Sequence, residues 1–139
     1  MTPQNNSCPK LYIGMDVHKK SWSLHLRTDL FDHRGFSMPP DPDELYNHVQ
    51  KKFPNHEVHL AYEAGCCGFS TARHLLNLGW DVKVVNAADI PVSNKQVYQK
   101  TDKTDCRNIC KQLQDGRLKG INIPSEIEEP YLFFSALIV

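Results

Sequence analysis

The stretch that decides the fold is "LYIGMDVHKKSWSLHLR", Leu11 to Arg27. Leu11 to Val17 is apolar except for Asp16 near its end, and polar residues bound it on both sides. It reads as a strand. Ser21 to Arg27 alternates: Trp22, Leu24 and Leu26 face one way, Ser23 and His25 the other. That period of two marks a half-buried strand. Only a short polar connection holding Lys19 and Lys20 separates the two runs. A parallel pair needs a crossover of about a dozen residues or more, so these strands are antiparallel and joined by a tight hairpin. A flavodoxin-like, all-parallel sheet is disfavoured by this one spacing.

Working outward, Phe31 to Phe36 is a possible short third strand, weakened by Gly35. The proline-rich "MPPDPDE" breaks the chain. Asp41 or Asp43 then caps a helix through Leu45, His48, Val49 and Phe53. Glu57 to Glu63 alternates again and ends on an acid, followed by the glycine turn "AGCCGFS". Phe69 to Leu78 is placed as a helix, with Gly79 as its C-terminal glycine. Asp81 to Val85 is a strand. Asn86 to Gln99 is polar and without clear periodicity, and Asp105 to Leu118 returns to helical spacing. Hairpin-linked strands followed by alternating helices and strands imply an α/β fold, a mixed sheet flanked by helices. The order fits the ribonuclease H-like class. Residues 1–10 read as a flexible leader, 11–125 as the domain, and 126–139 as an atypical, truncated C-terminal tail.

Composition sets bounds without naming a partner. The chain has 139 residues, with Lys+Arg and Asp+Glu both 16, so its formal net charge is zero. That length suits one domain with a real core. Bulk charge does not announce a nucleic-acid binder, although a local patch is what decides affinity for phosphates. Five cysteines, no signal peptide and no bilayer-length apolar run imply reduced thiols, a cytoplasmic location and no membrane partner. Cys106 and Cys110 lack the usual zinc-ligand spacing and read as small apolar helix residues.

Four acids stand out by position. Asp16 lies in the apolar first strand. Glu63 ends a later strand, and Asp102 and Asp105 sit three apart at the start of the last helix. A carboxylate beside a core is costly unless paired or metal-bound. In a ribonuclease H-like sheet the first and fourth strands are neighbours, so Asp16 and Glu63 converge. The i, i+3 spacing puts Asp102 and Asp105 on one helix face if the helix begins that early. Four gathered carboxylates need divalent cations or shared protons. Oxygen-only ligands favour Mg²⁺ or Mn²⁺. Taken singly, each acid has a plainer role: a turn or ion-pair residue for Asp16, a surface residue for Glu63, a solvated helix start for "TDKTD". Lys19, Lys20, Lys95, Lys100, Lys103 and Arg107 cluster around the acids in sequence. They either contact nucleic-acid phosphates or balance the acids on a solvated face. Tyr62 and Tyr98 are either stacking platforms for bases or packing residues.

The blocks "YIGMDVHK", "AYEAGCCGF", "LGWDVKVVNAADIP" and "KTDKTDCRNICKQLQDGRLKGINIPSE" together resemble the N-terminal, RuvC-like domain of DEDD-type insertion-sequence transposases. These are relatives of the Piv-type DNA invertases and include the bridge-RNA-guided recombinases. The match runs from about Leu11 to Glu126. The resemblance implies a RuvC-like fold, catalytic and metal-binding roles for Asp16, Glu63, Asp102 and Asp105, and Mg²⁺-dependent DNA strand cleavage and exchange. It also implies DNA as partner, guide RNA as a further one, and homo-oligomerisation. Cys106 stands where the family often has alanine, and "IEEPYLFFSALIV" replaces the family's basic helical segment. The serine-bearing C-terminal domain of the family is not found here, so this chain is expected to be inactive alone in recombination. The competing reading is a non-catalytic, nucleic-acid-binding remnant of a truncated transposase. An actin-like or sugar-kinase-like ATPase ranks below both, because it needs a second similar domain and glycine-rich phosphate loops.

Overall fold

The computed structural model describes residues 8–65, 68–91 and 105–123. Three antiparallel strands come first: β1 (Lys10–Val17), β2 (Trp22–Thr28) and β3 (Asp32–Met38). Helix α1 (Pro42–Lys52) leads to β4 (Glu57–Glu63), and α2 (Ser70–Asn77) leads to β5 (Asp81–Val85). A short 3₁₀ turn spans Ala87–Asp89, and α3 (Cys106–Gln114) is the last helix of the described residues. The sheet order is β3-β2-β1-β4-β5. β2 runs antiparallel to β1 and β3, whereas β4 and β5 run parallel to β1. This is the ribonuclease H-like arrangement expected from the sequence.

Local chemistry explains each element. The hairpin between β1 and β2 closes with His18 N–H donating to the Ser21 carbonyl at 3.0 Å. β3 is a full strand despite Gly35, because a register shift between Leu24 and Leu26 absorbs the irregularity. α1 starts at Asp41, whose carboxylate accepts from the Asp43 and Glu44 amides, with Pro42 in the first turn. Such a cap contributes about 1 kcal/mol. Gly79 follows α2 with φ of 102°, a conformation that a side chain would strain. α1 carries the chain from the β3 edge back to β4 beside β1, and α2 makes the next parallel crossover.

Alternation sends the side chains to two cores. Leu11, Ile13 and Met15 of β1, Trp22, Leu24 and Leu26 of β2, and Val58, Leu60 and Tyr62 of β4 pack under α1 and α2 with Leu45, Val49, Ala72 and Leu75. Each fully buried aliphatic side chain contributes roughly 1.5–3 kcal/mol relative to exposure. The opposite face carries Tyr12, Ala61 and Val85, which meet Ile90, Ile109, Leu113 and Leu118. Here α3 lies across β1, β2 and β4. Leu118, expected to end the last helix, is buried beyond it, because α3 stops at Gln114 and Gly116 adopts a positive φ of 74°.

Candidate functional site

β1 and β4 pair in parallel through Met15 and Tyr62, the last partners of their ladder. Asp16 and Glu63 are the next residue on each strand. Met15 and Tyr62 point into the α1/α2 core, so the period of two turns Asp16 and Glu63 to the α3 face. The two acids therefore emerge side by side at the same end of neighbouring strands. Their proximity is felt electrostatically. Partial burial pushes the Glu63 carboxyl above its ordinary pKa, and the negative charge of Asp16 adds to the rise. Asp16 is more than a third exposed and is hydrogen-bonded to His18 Nε2 at 3.2 Å.

α3 brings a third carboxylate to this end. Asp105 caps the helix, its Oδ1 accepting from the Arg107 amide at 3.0 Å. What seats the helix so close is Gly14. A Cβ built there would overlap the Cys106 carbonyl oxygen and the Cys110 amide nitrogen, and would lie 2.8 Å from Cys110 Cβ. Cys110 Sγ donates to the Tyr12 carbonyl at 3.2 Å across the same contact. Burial drives the Cys106 thiol up to about 11; the charge of Asp105, a hydrogen bond to it, and the charge of Asp16 add to the shift. Cys106 thus lies within the field of both acids. Cys110, more deeply buried, is pushed to about 12 chiefly by desolvation. Cys110 is a buried packing group, as expected of a small apolar helix residue, whereas Cys106 is partly buried.

The structure changes part of the expected site. α3 begins at Cys106, so Asp105 stands before the helix as its cap. Asp102 itself lies outside the described residues, as do Lys95, Lys100, Lys103, Tyr98, Cys66 and Cys67. Lys19 and Lys20 are exposed in the turn that follows β1, at the same end as Asp16, and Arg107 is exposed on the first turn of α3. Tyr62 is not a stacking platform. It is 1% exposed, and its hydroxyl donates to the Gly68 carbonyl and accepts from the Ala72 amide. Core packing claimed it because the alternation of β4 points it into the α1/α2 layer. Among the described residues, no three His, Cys, Asp or Glu side chains are grouped tightly enough to hold a metal ion, so the described set supplies the Asp16–Glu63 pair.

Sequence reasoning missed a row of side chains beside the acids. Ser23 is the register partner of Asp16, and Ser37 is the register partner of Ser23. With His25 and Asp32 they line a cleft of about 460 Å³ that reaches Asp105 and Arg107. The alternation of β2 already turned Ser23 and His25 away from the core. The β3 half of the cleft had no comparable signal, because Gly35 obscured that strand.

No protein-family profile matches the chain. It is 31% identical over 127 residues to the transposase for insertion sequence element IS1533 of Leptospira borgpetersenii, a match that covers 86% of this chain and 35% of that protein. The chain thus spans about a third of the length of the curated relative it matches. Two solved structures of RuvC from Thermus thermophilus superpose on it. The one in complex with a Holliday junction substrate has a TM-score of 0.44 and 11% identity, covering 81% of this chain and 99% of that one. The other has a TM-score of 0.45 and 10% identity, covering 81% and 100%. Among the described residues, no helix is long and apolar enough to cross a membrane.

Proposed function

We propose that this chain is the RuvC-like, nuclease-type domain of an insertion-sequence transposase and acts on DNA with Mg²⁺ or Mn²⁺. The observation that carries the reading is the placement of Asp16 and Glu63 one residue beyond the last paired residues of adjacent parallel strands, with Asp105 heading the helix laid across the same face. The 31% identity to an insertion-sequence transposase supports it. Two adjacent carboxylates, one of them held above its ordinary pKa, form an oxygen donor set that suits a hard divalent cation. Asp16 and Glu63 would hold that ion, with Asp105 and Asp102 as the further acids. A bound ion of this kind supplies positive charge where phosphodiester cleavage develops negative charge.

The protein's own residues have definable tasks. Burial and then the charge of Asp16 raise the pKa of Glu63, and a cation held between the two acids would favour their ionised forms. The hydrogen bond from His18 fixes one Asp16 oxygen and leaves the other for coordination. Lys19 and Lys20 project from the turn directly after Asp16, and Arg107 projects from the turn directly after Asp105. These cations would grip phosphates on either side of the acids, fixing the strand without reading its bases.

Calorimetric titration with Mn²⁺, on the wild type and on Asp16→Asn and Glu63→Gln, tests the reading. Each substitution should weaken binding by about tenfold or more, since each removes one of few charged ligands. Equal binding by all three proteins would overturn the proposal. A plasmid-nicking assay separates catalysis from binding alone: metal-dependent nicking that Asp16→Asn abolishes supports a nuclease. DNA binding without nicking supports the non-catalytic alternative.

A further inference from the structure

The cleft beside the acids is built from three independent elements. Its floor is the β2–β3 pair, where Gly35 leaves the surface without a side chain. A Cβ at Gly35 would crowd the Leu24 carbonyl oxygen at 2.6 Å and would lie 3.5 Å from His25 Nδ1. Its wall is the first turn of α3, with Arg107 exposed above it. The cleft lies beside the candidate site, because Asp16, Ser23 and Ser37 stand in one row across β1, β2 and β3. Neighbouring strands are about 4.8 Å apart, so Ser37 lies roughly 10 Å from the Asp16 strand.

Each carboxylate of this cleft has one oxygen engaged: Asp32 is hydrogen-bonded to His25, and Asp105 accepts from the Arg107 amide. The cleft's donors are more lightly engaged. Among the described residues, Ser23 and Ser37 are hydrogen-bonded to each other, hydroxyl to hydroxyl at 3.4 Å, the outer limit of a hydrogen bond. Arg107 makes no ion pair within 4.0 Å among the described residues, although its charge reaches Asp32 across the cleft. Two hydroxyls and a guanidinium fork offer the donors that a phosphodiester oxygen pair accepts.

We propose that this cleft seats a backbone phosphate of the nucleic-acid strand whose neighbouring phosphate lies at Asp16 and Glu63. Ser23, Ser37 and Arg107 hold the phosphate, and the bare backbone at Gly35 lets the strand lie against the sheet. The hydrogen bond between His25 and Asp32 engages one oxygen of the carboxylate that faces the cleft. The proposal rests on the nuclease-type reading of the acids and adds a second contact point, which sets the direction in which the strand crosses the site.

The test uses the full 139-residue chain and a short oligothymidylate, with binding followed by fluorescence anisotropy and by amide shifts in the ¹⁵N-labelled protein. Ser23→Ala with Ser37→Ala should weaken binding roughly three- to tenfold, the loss of one or two modest hydrogen bonds. Arg107→Gln should reduce the slope of log K against log salt by about 0.7, one single-strand phosphate contact. Lys52→Gln, on the far side of the sheet, should bind as the wild type does. Shifts at Gly35, Ser37 and Arg107 on adding oligothymidylate support the subsite. Shifts confined to the Lys19–Lys20 turn, with the double serine variant binding normally, overturn the subsite and leave the metal reading intact. If Asp16→Asn binds Mn²⁺ as the wild type does while the cleft shifts persist, the metal reading fails and the phosphate subsite stands. No binding by the wild type overturns the subsite outright.

Discussion

Gly14 of β1 lies directly beneath Cys110 of α3, close enough that a built Cβ would be 2.8 Å from the cysteine's own Cβ. Strand backbone and helix backbone meet there, and the Cys110 thiol donates to the carbonyl of Tyr12 across the same contact. This one close approach sets how far α3, and Asp105 at its head, stands from Asp16.

Gly14→Ala should therefore act on stability and on the site together. The atoms opposing the new methyl are mostly backbone and cannot rotate away. Overpacking of this kind costs about 1–3 kcal/mol, and the rigid neighbours place this case at the upper end. Urea denaturation followed by circular dichroism should show a lower midpoint. Mn²⁺ binding should weaken in the fraction that remains folded, because the helix is lifted from the acids. A midpoint unchanged from wild type would mean that α3 does not pack on β1 as described.

Glu63 should make metal affinity depend on pH in a specific direction. Its pKa is raised by burial and then by Asp16. Ligation requires the ionised carboxylate, so Mn²⁺ affinity should climb as pH rises through a value above the ordinary glutamate range, with proton release on binding. Asp16→Asn removes the second cause and should move that midpoint down, even as it lowers affinity overall. Without metal the linkage has the opposite consequence for folding. A raised folded-state pKa stabilises the protonated form, and that contribution is lost as pH rises through the folded value. Glu63→Gln should then be more stable than wild type near neutral pH, with the difference vanishing in acid. Added Mn²⁺ should stabilise wild type and leave Glu63→Gln little changed. Thermal unfolding across pH, with and without metal, measures all of these.

Asp32 gives the acid limb of stability. Its pKa is lowered, first by the hydrogen bond from His25, with charge from His25, Arg27 and Arg107 assisting against a smaller desolvation effect. A depressed carboxylate contributes stability above its unfolded pKa, and that contribution is lost as pH falls through the folded value. Asp32→Asn should be less stable than wild type at neutral pH by a modest amount, since the site is exposed. The two should converge below about pH 3, under the ordinary aspartate range. Denaturant midpoints at several pH values decide it; a constant difference down to that pH would assign the effect to packing.

Much of this molecule is legible in its sequence for reasons of period and distance. The short connection between Leu11–Val17 and Ser21–Arg27 forces an antiparallel hairpin, and the alternation in Glu57–Glu63 gives the β4 strand its buried and open sides. Asp41, Pro42 and Gly79 mark helix ends by local chemistry that needs no partner. The placement of Asp16 and Glu63 at strand ends is readable in the same way, because strand period and strand end are properties of neighbouring residues. What required the tertiary structure are the relations between segments far apart in the chain. Only the β1–β4 register puts Asp16 beside Glu63, 47 residues later. Only the packing of α3 on Gly14 brings Asp105 to the same end. Only the β2–β3 register lines Ser37 up with Ser23 to form the cleft. Gly14 and Gly35 carry the clearest lesson: along the chain each is a weak point in a strand, whereas in the fold the first admits a helix and the second leaves the floor of the cleft bare. A missing side chain has no period to read, and its meaning is set by whatever the rest of the chain brings against it.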